Sequence, residues 1–268
     1  MPNYKTISKN NNVKISINEL DFGKGKDNFV SDKDSIFNSS LNEYNSVIIN
    51  HKFLAPKGTQ NNILTIKAKK FITISKSGSI DYSGSGIPSK KINPDSKSNT
   101  ISGYGGTHGG AGGSGECTIK SEKYIPNNQI DILPTFGKAG SYINNNDNTG
   151  IGGGYILLES PTITIDGSLL SDGNNGFKTG GGGGGGKIVL LANNIVINGK
   201  VSAKGGDGGT TFIQGSGGGG GGIVISSVKY TGNGKIDTSG GEGGKALDIY
   251  TGCDGQSGED GVIASSEI

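Results

Sequence analysis

The chain has 268 residues and a formal net charge of +2, and 52 of its residues are glycine, about a fifth against roughly 7% in an average soluble protein. With 31% hydrophobic residues, no tryptophan and only seven prolines, the composition excludes a large aromatic core, long amphipathic helices and a collagen triple helix. All 25 basic residues are lysine, so the guanidinium forks that read phosphates and base edges are missing, and nucleic-acid binding is not expected.

Residues 1–12 are polar, with no apolar h-region, and no run of about 20 apolar residues follows anywhere, so neither a classical export signal nor membrane insertion is expected. Residues 1–100 carry a net charge of +7 and residues 101–268 a net charge of −5. That polarity would let the basic end dock on an acidic partner, the plainer reading being solvated surface charge. Residues 1–60 contain two strand-like stretches, 13–17 and 46–49, separated by a polar, charged segment from Asp21 to Asn45. They read as an N-terminal cap or attachment region.

Alternation becomes regular at residues 63–69 and 71–75 and continues past Gly78 into Ile80 and Tyr82; period two with β-branched residues predicts strands. The phrase then repeats. Ile163-Thr164-Ile165-Asp166-Gly167 matches Ile195-Val196-Ile197-Asn198-Gly199, the stretch from Ile72 fits with a small insertion, and Val228 to Thr238 fits more loosely. Each copy is strand, tight turn, strand, with Gly78, Gly167, Gly199 and Gly234 as structural turns. Before three of the copies a further strand leaves a glycine run directly, at Tyr155, Lys187 and Ile223. Spacings of 32 and 35 residues between the last three turn glycines lie in the range of solenoid repeats. The expected fold is all-β, a parallel β-helix or β-solenoid over residues 61–268, its narrow interior accounting for the scarcity of large side chains. Some of the glycine is expected at corners with positive φ.

Gly180 to Gly186 is a run of seven and Gly217 to Gly222 a run of six, and glycine recurs every third residue from Gly103 to Gly115 and from Gly252 to Gly261. Triplet glycine without proline predicts packed, extended polyglycine-II-like segments that hydrogen-bond to one another. A flexible glycine linker is the alternative, disfavoured because each run joins a strand without a polar spacer. The stretches 102–113 and 152–158, with the Ile165-Asp166-Gly167 and Ile197-Asn198-Gly199 repeats, resemble the glycine-rich β-helix repeats of large surface and adhesin-like proteins. The resemblance covers roughly residues 61–268. It implies a right-handed parallel β-helix with a structural or adhesive role and brings no catalytic residues with it. In design the chain is also similar to the tail-tip adhesins of T-even-like phages, which join an attachment module to a glycine-rich receptor-binding part.

Little in the chain spells catalysis. Gly181 to Lys187 approaches a phosphate-binding loop, but Ile188 stands at the Ser/Thr position and a strand follows where a helix should begin. The calcium-binding nonapeptide needs Asp where this chain has Thr210 and Lys245. Cys117 and Cys253 lie 136 positions apart and only two histidines are present, so neither a metal site nor a disulfide framework is expected. Asp166 with Asp172, or Asp254 with Asp260, would offer paired carboxylates to a polysaccharide lyase or hydrolase, the competing function class, but turn aspartates explain them more simply. Recognition by loops on a rigid scaffold remains. Its candidate residues are Tyr104, His108, Tyr142, Asn144, Asn145, Asn146, Phe177, Phe212 and Tyr250, and aromatic rings beside amides suit a glycan or cell-surface receptor. The expected protein is a non-enzymatic, cofactor-free component of a virion, fibre or extracellular surface assembly. It would associate with further copies through its solenoid edges, with Val262-Ile263-Ala264 available to pair.

Overall fold

A computed structural model describes residues 5–9, 12–16, 20–37, 41–56, 62–88, 103–115, 132–141, 149–250 and 252–265. The first two strands, β1 (Lys5–Lys9) and β2 (Asn12–Ser16), form an antiparallel hairpin. The remaining strands belong to successive coils. The first coil carries β3 (Asn28–Val30) and β4 (Ser35–Ile36), and the second β5 (Leu41–Tyr44), β6 (Ser46–Ile49) and β7 (Lys52–Leu54). The third carries β8 (Ile63–Ala68), β9 (Ile72–Ile74) and β10 (Ser79–Asp81), and the fourth β11 (Tyr155–Glu159), β12 (Thr162–Ile165) and β13 (Ser168–Leu170). The fifth carries β14 (Lys187–Leu191), β15 (Asn194–Ile197) and β16 (Lys200–Ser202), the sixth β17 (Ile223–Ser226) and β18 (Lys235–Asp237), and β19 (Val262–Ser265) begins a seventh.

Strands at equivalent places in the coils pair in parallel, giving three sheets: β5-β8-β11-β14-β17-β19, β3-β6-β9-β12-β15 and β4-β7-β10-β13-β16-β18. This is an all-β solenoid. Because the register holds from coil to coil, inward side chains stack in columns. Phe53, Ile80, Leu169, Val201 and Ile236 form one, Ile49, Ile74, Ile165 and Ile197 another, and Leu64, Ile156, Ile188 and Val224 a third. Apart from the partly buried Ile236, aliphatic residues in these columns are almost wholly excluded from solvent, each stabilising the fold by about 1.5–3 kcal/mol. At the first coils the interior is closed by rings: Phe29, Phe37, Tyr44 and Phe53 pack with centroid separations of 4.5–5.8 Å.

Strand pairing crosses the boundary expected at residue 60. β3 to β7 are full members of the sheets, so the coils begin at Asn28 and the polar stretch from Asp21 to Asn45 contains three strands. These were invisible to periodicity because they are two to four residues long and point few apolar side chains inward. The sixth coil departs in the other direction. Where the sequence predicts a strand at 228–230, the chain makes a single bridge from Thr231 to Val196 and turns at Gly232, whose φ is +106°.

The turn glycines Gly78, Gly167, Gly199 and Gly234 stand between strands of successive coils, but none has positive φ. Glycine is needed there because the corners touch. A methyl group on Gly167 would overlap the Gly78 carbonyl, one on Gly199 the Gly167 carbonyl, and one on Gly234 the Gly199 carbonyl.

The outer face of the β8-β11-β14-β17 sheet is apolar as well: Tyr155, Val189, Leu191, Ile223 and Ile225 are buried, with Leu20, Ile132 and Phe136 packed over them. Lys67 pins the N-terminal covering segment. Its ammonium donates to the Asp21 carbonyl at 2.9 Å and lies 3.1 Å from the carboxylate of its register neighbour Glu159, which is 1% exposed. Burial pushes the Glu159 carboxyl up, against the pull of Lys67.

Candidate functional site

Between the third and first faces of successive coils the chain leaves the solenoid, runs outward and returns. After the fourth, fifth and sixth coils the excursions span residues 171–186, 203–222 and 238–261, lengthening from 16 to 20 to 24 residues; residues 82–154 separate β10 from β11. Each adds about two residues to each limb, and at about 3.1 Å per residue of extended chain each tip stands roughly 6 Å beyond the one before.

The limbs are joined by backbone hydrogen bonds that rotate in threes. Gly181 and Gly184 donate to Ser141 and Lys138, Gly182 and Gly185 to Gly217 and Gly220, and Gly183 and Gly186 to Asn174 and Ser171, all at 2.7–3.0 Å. The next run repeats the pattern: Gly217 and Gly220 donate to Gly103 and Gly106, Gly218 and Gly221 to Gln256 and Glu259, and Gly219 and Gly222 to Gly206 and Ala203. Triplet glycines Gly255, Gly258 and Gly261 all face one limb, donating to Gly244, Gly241 and Thr238. A limb with neighbours on three sides has no room for side chains. A methyl group on Gly182 would overlap the Gly206 carbonyl, and one on Gly219 the Gly183 carbonyl.

The same stacking explains a cross-link unexpected from the sequence. Cys253 is disulfide-bonded. Gln256 N–H donates to the Ser114 carbonyl at 2.7 Å, so this limb lies beside 111–115, which ends two residues before Cys117, itself outside the described residues. Separation along the chain says nothing about separation between stacked limbs.

Three reversals end the shorter excursions, around residues 177–179, 211–214 and 246–250. They are neighbours. Leu247, Asp248 and Cys253 N–H groups donate to the carbonyls of Thr211, Phe212 and Ile213, and the Ser216 hydroxyl donates to the Lys178 carbonyl. Polar groups of these tips bond within them or to each other. The Thr211 hydroxyl donates to the Gln214 carbonyl, Asp248 accepts the Tyr250 N–H at 3.0 Å, and Asp254 accepts Ala246 N–H and the Lys245 ammonium, both at 2.9 Å. The Ala246 N–H and Lys245 hold the Asp254 carboxyl below its ordinary value. Beside the exposed Lys178, Thr210, Lys245 and Asp254 stand large apolar side chains, Phe177, Phe212, Ile213, Leu247, Ile249 and Tyr250, the last two 83% and 90% exposed. Lys178, in the left-handed region at φ 52°, places its ammonium 5.4 Å from the Phe177 ring centroid.

Of the residues singled out in the sequence, Phe177, Phe212 and Tyr250 thus meet on one ridge. Ile213, Leu247 and Ile249 join them unannounced; the signal available was an apolar residue between glycine runs and outside any alternating stretch. Tyr142, Asn144, Asn145 and Asn146 lie outside the described residues. Tyr104 follows Gly103, whose N–H donates to the Thr179 carbonyl beside the first tip, and lines a cavity of about 250 Å³ with Ile87, Thr107, Lys138 and Ser141. An adjoining cavity of about 210 Å³ shares Ile87, Thr107 and Lys138 and ends at His108.

His108 is 3% exposed. Its Nδ1 lies 2.8 Å from the Gly185 carbonyl and 3.2 Å from that of Gly186, and a carbonyl only accepts, so Nδ1 carries the proton and Nε2, 2.9 Å from Thr135 Oγ1, accepts from that hydroxyl. Desolvation, reinforced by Lys187 and Lys138, lowers its pKa to about 4. The carboxylates weighed as catalytic pairs are also engaged: Asp166 accepts from Asn198, Asp172 from Ser202 and Lys204, and Asp260 from Gly240. Among the described residues no three metal-ligating side chains cluster.

Comparison with family models, with curated proteins and with solved structures finds no match for this chain.

Proposed function

We propose that this protein is a non-enzymatic structural and adhesive component of a virion, fibre or cell-surface assembly. In this reading the solenoid is a right-handed parallel β-helix, the three-way bonded limbs are a polyglycine-II-like sidearm, and the N-terminal coils serve as the attachment end. One observation carries the proposal: six of the exposed large hydrophobic side chains gather at three adjacent reversals of a hydrogen-bonded arm. Exposed apolar groups held on a rigid support mark an interaction surface rather than a fold requirement. β19 is the last strand of its sheet, touched by β2 of the same chain, and Ile263 is 51% exposed; a further copy would add beside that hairpin.

Electron microscopy with mass determination over a dilution series, together with adhesion of the purified protein to intact cells and particles, tests this. Concentration-dependent assemblies that Ile263→Lys dissolves, and adhesion that tip substitutions abolish, are the expected results. A strictly monomeric rod that adheres to no surface, or one that turns over polysaccharide, would overturn the reading.

A further inference from the structure

We propose that Lys67 and Glu159 become covalently joined, the lysine amine condensing with the glutamate carboxyl into an amide that ties the third coil to the fourth. An imbalance at the pair points to it. Among the described residues, the buried side-chain oxygens without a hydrogen-bond partner belong to Glu159 and Ser160, and a buried carboxylate is costly unless it is both paired and hydrogen-bonded. Lys67 Nζ lies 3.1 Å from Glu159 Oε2, but off the angles a hydrogen bond needs. An amide would remove both charges and one of the two oxygens. Before it forms, the pair remains the ion pair that pins the covering segment.

Placement favours the reaction. The two residues are register neighbours on the parallel strands β8 and β11, so the sheet holds amine and carboxyl in contact and supplies the effective concentration that a condensation between free molecules lacks. The Glu159 side chain is 1% exposed and that of Lys67 13%, and on the next coil Glu159 adjoins the buried Leu191, which leaves little water to reverse the step. Burial pushes the Glu159 carboxyl up, towards the neutral acid. Desolvation also works against the Lys67 ammonium, although its contacts with Glu159 and Asp21 outweigh that and hold it above its ordinary value. The neutral pair is therefore a minor form, and a bond that forms once in the life of the chain needs no more.

The step balances without an oxidant. A proton passes from the ammonium to the Glu159 carboxylate, and the freed Nζ lone pair attacks Cδ. The C–N bond forms, the nitrogen gives up a proton, the C–O bond breaks and the oxygen leaves as water once that proton reaches it. The Asp21 carboxylate, 3.4 Å from Nζ and kept ionised by the Gly23 N–H and Lys67, is the base that takes the nitrogen's proton. Lys67 and Glu159 are 92 positions apart, so the amide closes all of residues 82–154 into a loop and restricts the unfolded chain.

Mass spectrometry of the full chain, folded and then reduced and denatured, tests this. The parent should weigh one water less than its sequence, and complete digestion should yield a branched peptide joining the stretches around Lys67 and Glu159. Lys67→Arg keeps a cation beside Glu159 but no amine to acylate, and should retain its full mass. Asp21→Asn should slow the loss of water by about tenfold or more. Thermal unfolding establishes that each variant is folded, and the branched peptide is read on the parent alone, whatever the variants do. A parent at its full sequence mass, or a loss of water that Lys67→Arg retains, as dehydration at Asp166-Gly167 would give, overturns the proposal. The bond concerns the stack and not the surface the protein meets, so its failure leaves the adhesive reading standing.

Discussion

Glycines in one run carry unequal burdens. A methyl group at Gly182 would overlap the Gly206 carbonyl, whereas at Gly184 its nearest neighbour is the Thr107 carbonyl at 2.9 Å. Gly182→Ala should therefore cost about 1–3 kcal/mol or more, since backbone cannot rotate away as a side chain can, and Gly184→Ala clearly less; denaturant unfolding of the two variants checks the order. His108 makes a prediction about acid. Its pKa is about 4 in the fold and near 6.5 when unfolded, so the folded state binds fewer protons between those values. Stability is full above the unfolded value and is lost as pH falls through about 4, with a slope of up to about 1.4 kcal/mol per pH unit. Melting temperatures measured across this window should fall with pH in the parent and stay flatter in His108→Gln.

The element most exposed to a single substitution is the segment over the outer sheet face, held by Lys67 between Asp21 and Glu159. Lys67→Met leaves Glu159 buried without its cation and should cost about 3–5 kcal/mol. Replacing both residues, Lys67→Met with Glu159→Leu, should recover much of the loss, because two apolar groups of similar size need no partners. A double-mutant cycle by thermal or chemical unfolding measures the coupling. Alternation made strands such as β8, β12 and β15 legible in the sequence, each with inward Ile or Leu at every second residue. It could not reveal β3 or β4, whose two or three residues hold no full period, nor the covering of the outer face, since Tyr155, Val189 and Ile223 read as ordinary outward positions.

At the scale of the molecule, the paired strands of the coils lie between Asn28 and Ser265, and the aromatic cluster of Phe29, Phe37, Tyr44 and Phe53 closes their first end. Deleting residues 1–60 removes β3 to β7 and opens Leu64, Ile66, Ile72 and Ile80 to solvent. In a stack stabilised by nearest-neighbour contacts, the truncated chain should unfold at a lower temperature and expose apolar surface to a hydrophobic dye. An unchanged melting temperature would mean that the first coils add nothing to the stack. The tips belong to this scale too. Their gathering depends on three excursions leaving the same corner of consecutive coils, which no single stretch of sequence records.

The sequence by itself determined the parallel stack, because a strand's inward and outward positions alternate locally and a repeated phrase such as Ile165-Asp166-Gly167 and Ile197-Asn198-Gly199 can bury its apolar side only against its own copies. The glycine runs favoured close packing over a flexible linker because each joins a strand without a polar spacer. Tertiary structure alone decided which limb meets which, and with it the burial of His108, the cross-link at Cys253 and the ridge of Phe177, Phe212, Ile249 and Tyr250. Glycine pairs through its backbone, which is identical at every position, so partners as near as Gly255 and Gly244 or as distant as Gly217 and Gly103 leave no mark in the sequence until the coils set their register.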